Sequence, residues 1–309
     1  MFLRGKIGCA WYNFTESLAW LLTYKHAPKG MTYKRHVRYG EEKRQYFNVF
    51  TREDLKDVKK PLFVYIHGGG WISGITDMRN AYVQNFAEQG YFATSLSYTY
   101  APDEVFPRQL QEICTAIDGI FDMAEEENVD LSKIVLGGES AGVYYIFMLA
   151  ALQADKSLFD KLGIRFEHRN DFKISAMVAH SGAVNLGKLL DETCPQSKYP
   201  DIKMMTCSFL GKSKKDATEW LKTEKGKLSI PSVNKDFPPT FFATGAKDPL
   251  RFESYDLMKE YSALQIPFEH FEGVGALANH AWTIVTKLKG GRDCFEATSK
   301  FLKTVVTSD

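Results

Sequence analysis

Along this chain, short runs of apolar, β-branched or aromatic residues alternate with glycine-containing turns and with longer stretches whose apolar residues recur every three or four positions. Residues 61–66 form a continuous apolar run that stops at His67-Gly68-Gly69-Gly70, the profile of a strand buried on both faces. Residues 91–98, 133–136, 174–179, 240–244 and 267–271 read as further strands, and 34–39 with 45–51 as an early antiparallel hairpin. Between them the spacing predicts helices over about 79–88, 108–126, 143–152 and 294–305, the second with Ile113, Ile117, Ile120 and Phe121 on one face. This alternation predicts an α/β fold, a mostly parallel central sheet flanked by helices on both faces.

Two stretches fall outside the rhythm. One is residues 1–33; the other, about 185–235, is helical in pattern, rich in lysine and punctuated by Gly211 and Pro231. Both are candidates for a small helical cap over the carboxyl edge of the sheet, where open α/β folds bind ligands. The expected organisation is an N-terminal segment, 1–33, contributing to a cap, and a core, 34–309, with a cap-like insertion at about 185–235.

Composition narrows the classes. With 309 residues, 44% of them hydrophobic, the chain can bury a sizeable core. A formal net charge of +1, spread along the sequence, is not the footprint of a nucleic-acid binder. Cys9, Cys114, Cys194, Cys207 and Cys294 are far apart and lack C-x-x-C spacing, so free thiols in a reducing compartment are expected and a zinc site is not. The aromatic stretch 9–24 is interrupted by Asn13 and Glu16, which suits an amphipathic helix better than a signal-peptide core or a membrane span. A soluble cytoplasmic protein without stable membrane insertion is the expectation.

The chemistry concentrates at strand ends. Gly138-Glu139-Ser140-Ala141-Gly142 satisfies G-x-S-x-G between an apolar strand and a buried helix. A serine on such a sharp strand-to-helix turn needs small neighbours two residues to either side, and the helix N-terminus aims N–H groups at developing negative charge. His67-Gly68-Gly69-Gly70-Trp71 follows a central strand, and three successive glycines imply a close backbone approach. In acyl transfer the approaching group is an oxyanion, received by the N–H groups of Gly68, Gly69 and Ala141. A phosphate loop fits less well, because no Walker or dinucleotide pattern accompanies the glycines.

A nucleophilic serine needs a base that is itself oriented by an acid. Asp248 lies just past the strand at 240–244, and His280 in the loop after the strand at 267–271. Among the other histidines, His67 reads as a brace for the glycine loop, and His270, the main competitor as base, lies within a strand pattern that gives it little reach. Ser181 and Asp236 are weaker rivals: the serine lacks the upstream glycine and a buried helix, and the aspartate precedes its strand. Trp71 and Tyr144 are candidates for an acyl or alcohol pocket, and equally for plain core packing.

With these residues in view, the chain resembles the hormone-sensitive-lipase-like esterases, the bacterial family IV carboxylesterases of the α/β-hydrolase superfamily. The likeness rests on the His67–Trp71 motif, on Tyr98-Thr99-Tyr100-Ala101-Pro102-Asp103-Glu104-Val105-Phe106-Pro107, on the Ser140 pentapeptide, and on Asp248-Pro249-Leu250-Arg251 followed by His280-Ala281-Trp282. The family's usual Arg and Leu are replaced by Thr99 and Tyr100, its Gly-Asn after the serine turn by Val143 and Tyr144, and its H-G-F by His280-Ala281-Trp282. The resemblance implies an α/β-hydrolase core, no metal or organic cofactor, and hydrolysis of short- to medium-chain carboxylic esters through Ser140, Asp248 and His280. The partner implied is a small-molecule ester; self-association is left open. Arylformamidases, amidases and carbohydrate deacetylases share the pattern, as do ligand-binding members of the fold that lack catalysis.

Overall fold

The apolar runs become the strands of one sheet because each supplies side chains to two cores at once. The computed structural model describes residues 28–306. Its strands are β1 (Met31–Arg38), β2 (Tyr46–Arg52), β3 (Lys60–Ile66), β4 (Phe92–Leu96), β5 (Val129–Glu139), β6 (Ile174–His180), β7 (Thr240–Gly245) and β8 (Phe268–Gly273). They pair in the order β1-β2-β4-β3-β5-β6-β7-β8. β2 runs antiparallel to both its neighbours, and from β4 to β8 every pairing is parallel. In β3, Leu62, Val64 and Ile66 enter one core while Phe63 and Tyr65 enter the other, as the two-residue period requires.

The helices are α1 (Asn80–Glu88), α2 (Arg108–Glu126), α3 (Ala141–Ala154), α4 (Ser157–Leu162), α5 (Leu186–Leu190), α6 (Ile202–Leu210), α7 (Lys214–Leu221), α8 (Glu224–Lys227), α9 (Arg251–Leu264) and α10 (Lys289–Val306). α1 and α10 cover one face through Tyr82, Val83, Phe86, Phe301 and Leu302. α2, α3 and α9 cover the other through Ile113, Ile117, Phe147, Leu257 and Tyr261. Every residue of α3 from Ala141 to Leu152 is buried, the state expected of a helix apolar on all sides.

Expected and observed elements differ mostly at ends. β5 begins at Val129 rather than 133, because Val129 and Asp130 already pair with Lys60 and Pro61; charged residues hide that extension from an apolar-run reading. β1 starts at Met31, inside the stretch assigned to a cap. The rest of that cap expectation, residues 1–27, with the predicted amphipathic helix and Cys9, lies outside the described residues. The stretch 185–235 is helical as the pattern suggests, comprising α5 to α8 and the short turn Pro195–Lys198. Glu253 of α9 anchors its start: the carboxylate accepts the N–H groups of Val184 and Asn185 at 3.0 and 2.7 Å and the Gln196 amide at 2.8 Å.

Among the described residues, no helix is long and apolar enough to cross a membrane. Cys114, Cys194, Cys207 and Cys294 are all free thiols.

Phe147 packs from α3 against Phe237, Phe242 and Tyr261. Its replacement in Phe147→Ala should cost about 3–5 kcal/mol, read from the shift of the urea-unfolding midpoint at constant m-value.

Candidate active site

Parallel pairing brings three strand ends to one edge. Ile66 of β3 pairs with Gly138 of β5, and Glu139 of β5 with His180 of β6, so the glycine loop, Ser140 and the β6 turn emerge side by side. Ser140 is the hinge between β5 and α3, with φ 53° and ψ −120°, a conformation sparsely populated by any residue with a Cβ. It is held there by hydrogen bonds at both its N–H and its carbonyl. Its N–H donates to His180 O at 2.9 Å, and its carbonyl accepts Val143 N–H and Ala183 N–H, each at 3.1 Å. The sharpness of the turn drives α3 against β3: a Cβ at Gly142 would collide with the Ile66 carbonyl oxygen, so that position admits only glycine.

Asp248 and His280 meet at this edge from the two last strands. Asp248 follows β7, with its N–H bonded to Gly245 O at 2.9 Å; the neighbouring Lys247 N–H bonds to Ala278 O at 3.0 Å and Ala246 N–H to Gly273 O at 2.9 Å. These bonds tie the β7 turn to the loop that carries His280. His280 Nδ1 lies 2.8 Å from Asp248 Oδ2, and Asp248 Oδ1 accepts Leu250 N–H at 2.9 Å. Burial works against the charged Asp248. The attraction and hydrogen bond of His280, with the Leu250 N–H and the Ser181 hydroxyl, outweigh it and hold the carboxyl below its usual range. The Tyr199 ring packs against the other side of His280, centroids 4.6 Å apart.

Ser140 and His280 line the same cavity of about 130 Å³, with Gly69, Gly70, Tyr199, Ile202 and Met205 among its other walls. The last three come from the 185–235 stretch, which therefore shapes the site. Sequence periodicity offered no sign of them, because their role depends on where α6 lands, not on any local pattern.

The glycine loop differs from expectation at one point. Gly68 N–H is occupied: it donates to Glu139 Oε1 at 2.8 Å, which corrects the assignment of Gly68 as an oxyanion donor. The N–H groups of Gly69 and Gly70 have no acceptor among the described residues, and Gly69 holds φ 113°, accessible in practice to glycine alone. Glu139 Oε1 also takes Arg79 Nε at 2.7 Å and Nη2 at 2.6 Å, so a buried ion pair braces the loop, and both partners line the cavity as well. Neither partner announced itself in the sequence; Glu139 passed as the variable position of G-x-S-x-G.

For Trp71 and Tyr144, candidates for a pocket or for plain core packing, the structure favours the core. Neither lines the cavity. Trp71 is buried and stacks on Phe209 at 4.8 Å, and Tyr144 meets Trp71 edge-on and donates its hydroxyl to Ser229 O at 2.8 Å. Both are core packing beneath α6. His270 Nε2 is 2.8 Å from Thr244 Oγ1, facing across β7 and β8 rather than into the cavity. His67 stacks on Tyr98, ring centroids 4.6 Å apart, with Nδ1 2.6 Å from Gly68 O. Among the described residues, no group of three or more His, Cys, Asp or Glu side chains is arranged to hold a metal ion.

This geometry can now be set beside known proteins. The BD-FAE family model matches residues 48–255. The chain belongs to the BD-FAE family. Esterase LipC of Mycobacterium tuberculosis (strain ATCC 25618 / H37Rv) is 29% identical over 124 residues, 40% of this chain and 30% of LipC. Protein R526 of Acanthamoeba polyphaga mimivirus, described as an alpha/beta hydrolase, is 23% identical over 227 residues, 70% of this chain and 60% of its own length. The chain thus spans less than two thirds of either curated relative. Among solved structures, esterase B from Lactobacillus rhamnosis superposes with a TM-score of 0.80 at 16% identity, covering 99% of this chain and 97% of that one. A bacterial heroin esterase does so with 0.73 at 18% identity, covering 94% and 90%. These likenesses establish the α/β-hydrolase fold.

Two buried histidines give the BD-FAE chain a predictable acid sensitivity. Burial, with the charges of Arg79 and Arg44 adding to it, pushes His67 down to about 3; burial alone pushes His180 down to about 3. Both are neutral when folded, whereas their unfolded counterparts take up a proton near pH 6.5. Stability from these two groups is therefore complete above that pH and declines as pH falls from 6.5 toward 3, by about 1.4 kcal/mol per pH unit for each. Urea unfolding at pH 7.0, 6.0 and 5.5 should show this decline, and His67→Gln should flatten it by one proton's share.

Proposed function

We infer that this chain is a serine carboxylic-ester hydrolase acting through Ser140, His280 and Asp248. The observation that carries the reading is the bonded Asp248–His280 pair, facing the cavity of the strained Ser140 turn and of two unused backbone donors. In the first step Ser140 Oγ attacks the ester carbonyl as His280 Nε2 accepts its proton. Asp248 keeps the Nδ1 proton in place and stabilises the imidazolium as it forms. The tetrahedral oxygen is received by the N–H groups of Gly69, Gly70 and Ala141, the last at the N-terminus of α3. Collapse breaks the C–O bond, and the departing alkoxide takes the proton from His280. A water then attacks the acyl-enzyme by the same route, returning the proton to Ser140. No cofactor is needed for either half.

The cavity supports a preference for short acyl groups. About 130 Å³ is small beside ligand pockets of roughly 300–1,000 Å³, which favours an acetyl or butyryl group over a long chain. In the same direction, esterase B from Lactobacillus rhamnosis has been solved with a tributyrin phosphonate inhibitor. A formyl or acetyl group also fits, so formyl-anilides and acetylated sugars belong in the substrate panel beside simple esters. The free cysteines support residence in a reducing compartment.

The wild-type protein should hydrolyse p-nitrophenyl acetate and butyrate, and Ser140→Ala and His280→Ala should each lower kcat by about 10⁴-fold or more. Undiminished turnover by Ser140→Ala would overturn the assignment. His270→Gln should keep most of the activity; if it does not, the base is misassigned. Across p-nitrophenyl esters, kcat/KM should peak at two to four acyl carbons and fall steeply by about eight.

A further inference from the structure

We propose that His180 is a positioning residue: through its hydrogen bond to Thr283 it sets the loop bearing His280 against the Ser140 turn to which its own backbone is bonded. This rests on the functional reading above, in which His280 is the base.

His180 closes β6, and its contacts converge from three directions. Its carbonyl oxygen accepts the Ser140 N–H at 2.9 Å. Its ring is fully buried, with Tyr82 Oη of α1 2.7 Å from Nε2 and Thr283 Oγ1 2.7 Å from Nδ1. The Tyr82 ring also meets the imidazole edge-on at 5.3 Å. Thr283, itself buried, lies in the single-turn segment Trp282–Ile284, three residues past His280. Between them Ala281 adopts φ 53°, so the chain reverses sharply there. The loop is therefore held on both sides of its turn, at His280 by Asp248 and at Thr283 by His180.

The next residue extends the connection. Ser181 holds φ 49° and bonds its N–H at 2.9 Å to the carbonyl oxygen of Ala243 in β7, the strand before the turn that carries Asp248. One dipeptide thus touches the Ser140 turn and β7 through its backbone and the base loop through the His180 ring.

Space-filling does not account for a histidine here. Burying an imidazole with two hydroxyls costs more than burying leucine or phenylalanine unless all the polar atoms are paired. A neutral ring meets that condition in either tautomer, since one nitrogen donates and the other accepts. The pairing also fixes direction, which an apolar contact would not. Displacing a reacting group by about 1 Å can lower a rate by the order of 10²-fold, so a tether of this kind has kinetic leverage.

The test uses Thr283→Val, which removes one hydroxyl at nearly constant shape, and His180→Gln against His180→Leu, of which only Gln can donate and accept. Two readouts are taken on folded full-length protein: kcat and KM with p-nitrophenyl butyrate, and the downfield proton resonance of the His280 Nδ1–H bonded to Asp248. Thr283→Val should lower kcat roughly 10- to 100-fold with KM within about twofold, and should shift or broaden that resonance. His180→Gln should recover part of the kcat lost in His180→Leu, and the Thr283→Val change added to His180→Leu should lower kcat no further. A folded Thr283→Val protein with wild-type kcat and an unmoved resonance overturns the proposal, as do equal losses in the Gln and Leu variants. Should wild-type protein hydrolyse no ester, the functional reading fails, and the resonance alone still decides whether Thr283 and His180 set the His280 loop.

Discussion

The close contact between the start of α3 and the end of β3 is the constraint on which the site depends. Gly142 touches the Ile66 carbonyl, so the chain can leave β5 for α3 only by a turn too tight for ordinary backbone angles. Ser140 absorbs that turn at φ 53°. A residue so strained persists because its surroundings over-determine it: β6 takes its N–H, and Val143 and Ala183 take its carbonyl. The same turn sets Ser140 at the cavity wall, directly before the first residue of α3. The strain of this serine and its place at the start of α3 are consequences of one packing contact.

Behind the turn, the preceding residue performs a second task. Glu139 is buried and charged, with a single carboxylate oxygen receiving both Gly68 N–H and the Arg79 guanidinium. Burying a pair of this kind is of little net benefit to stability, and breaking it is costly. Its value lies in registration: it locks the glycine loop to β5, so that the donors of Gly69 and Gly70 keep a fixed position relative to Ser140. Asp248 and His280 are registered to the same edge by different means, the backbone bonds between the β7 turn and the His280 loop. The rigid sheet is the common reference for both halves of the site.

The far wall of the cavity comes from a different part of the chain. Tyr199, Ile202 and Met205 stand over the turn and confine the cavity to about 130 Å³. They belong to the helical stretch that interrupts the strand–helix alternation after β6, anchored at its start by the buried Glu253.

Much of this was legible in one dimension, and the reason is physical. Strand and helix periods reflect which faces are buried, so the order of elements could be read from apolar spacing. The serine turn and glycine loop could be read because backbone geometry there excludes almost every other residue. Asp248 and His280 were singled out from their position after strands, where the parallel sheet collects its loops. What spacing could not reveal were relations between distant segments. That Gly68 N–H is consumed by Glu139, leaving Gly69 and Gly70 as the free donors, depends on a contact across 71 positions. That Trp71 and Tyr144 are core beneath α6, and that His180 holds Thr283, depends on where the insertion and the last loop settle. Local sequence determined which residues are candidates for the chemistry, because steric and periodic constraints act within a few bonds. Tertiary structure decided which hydrogen-bonding groups remain free to use it, because each donor or acceptor is claimed by whatever folds against it.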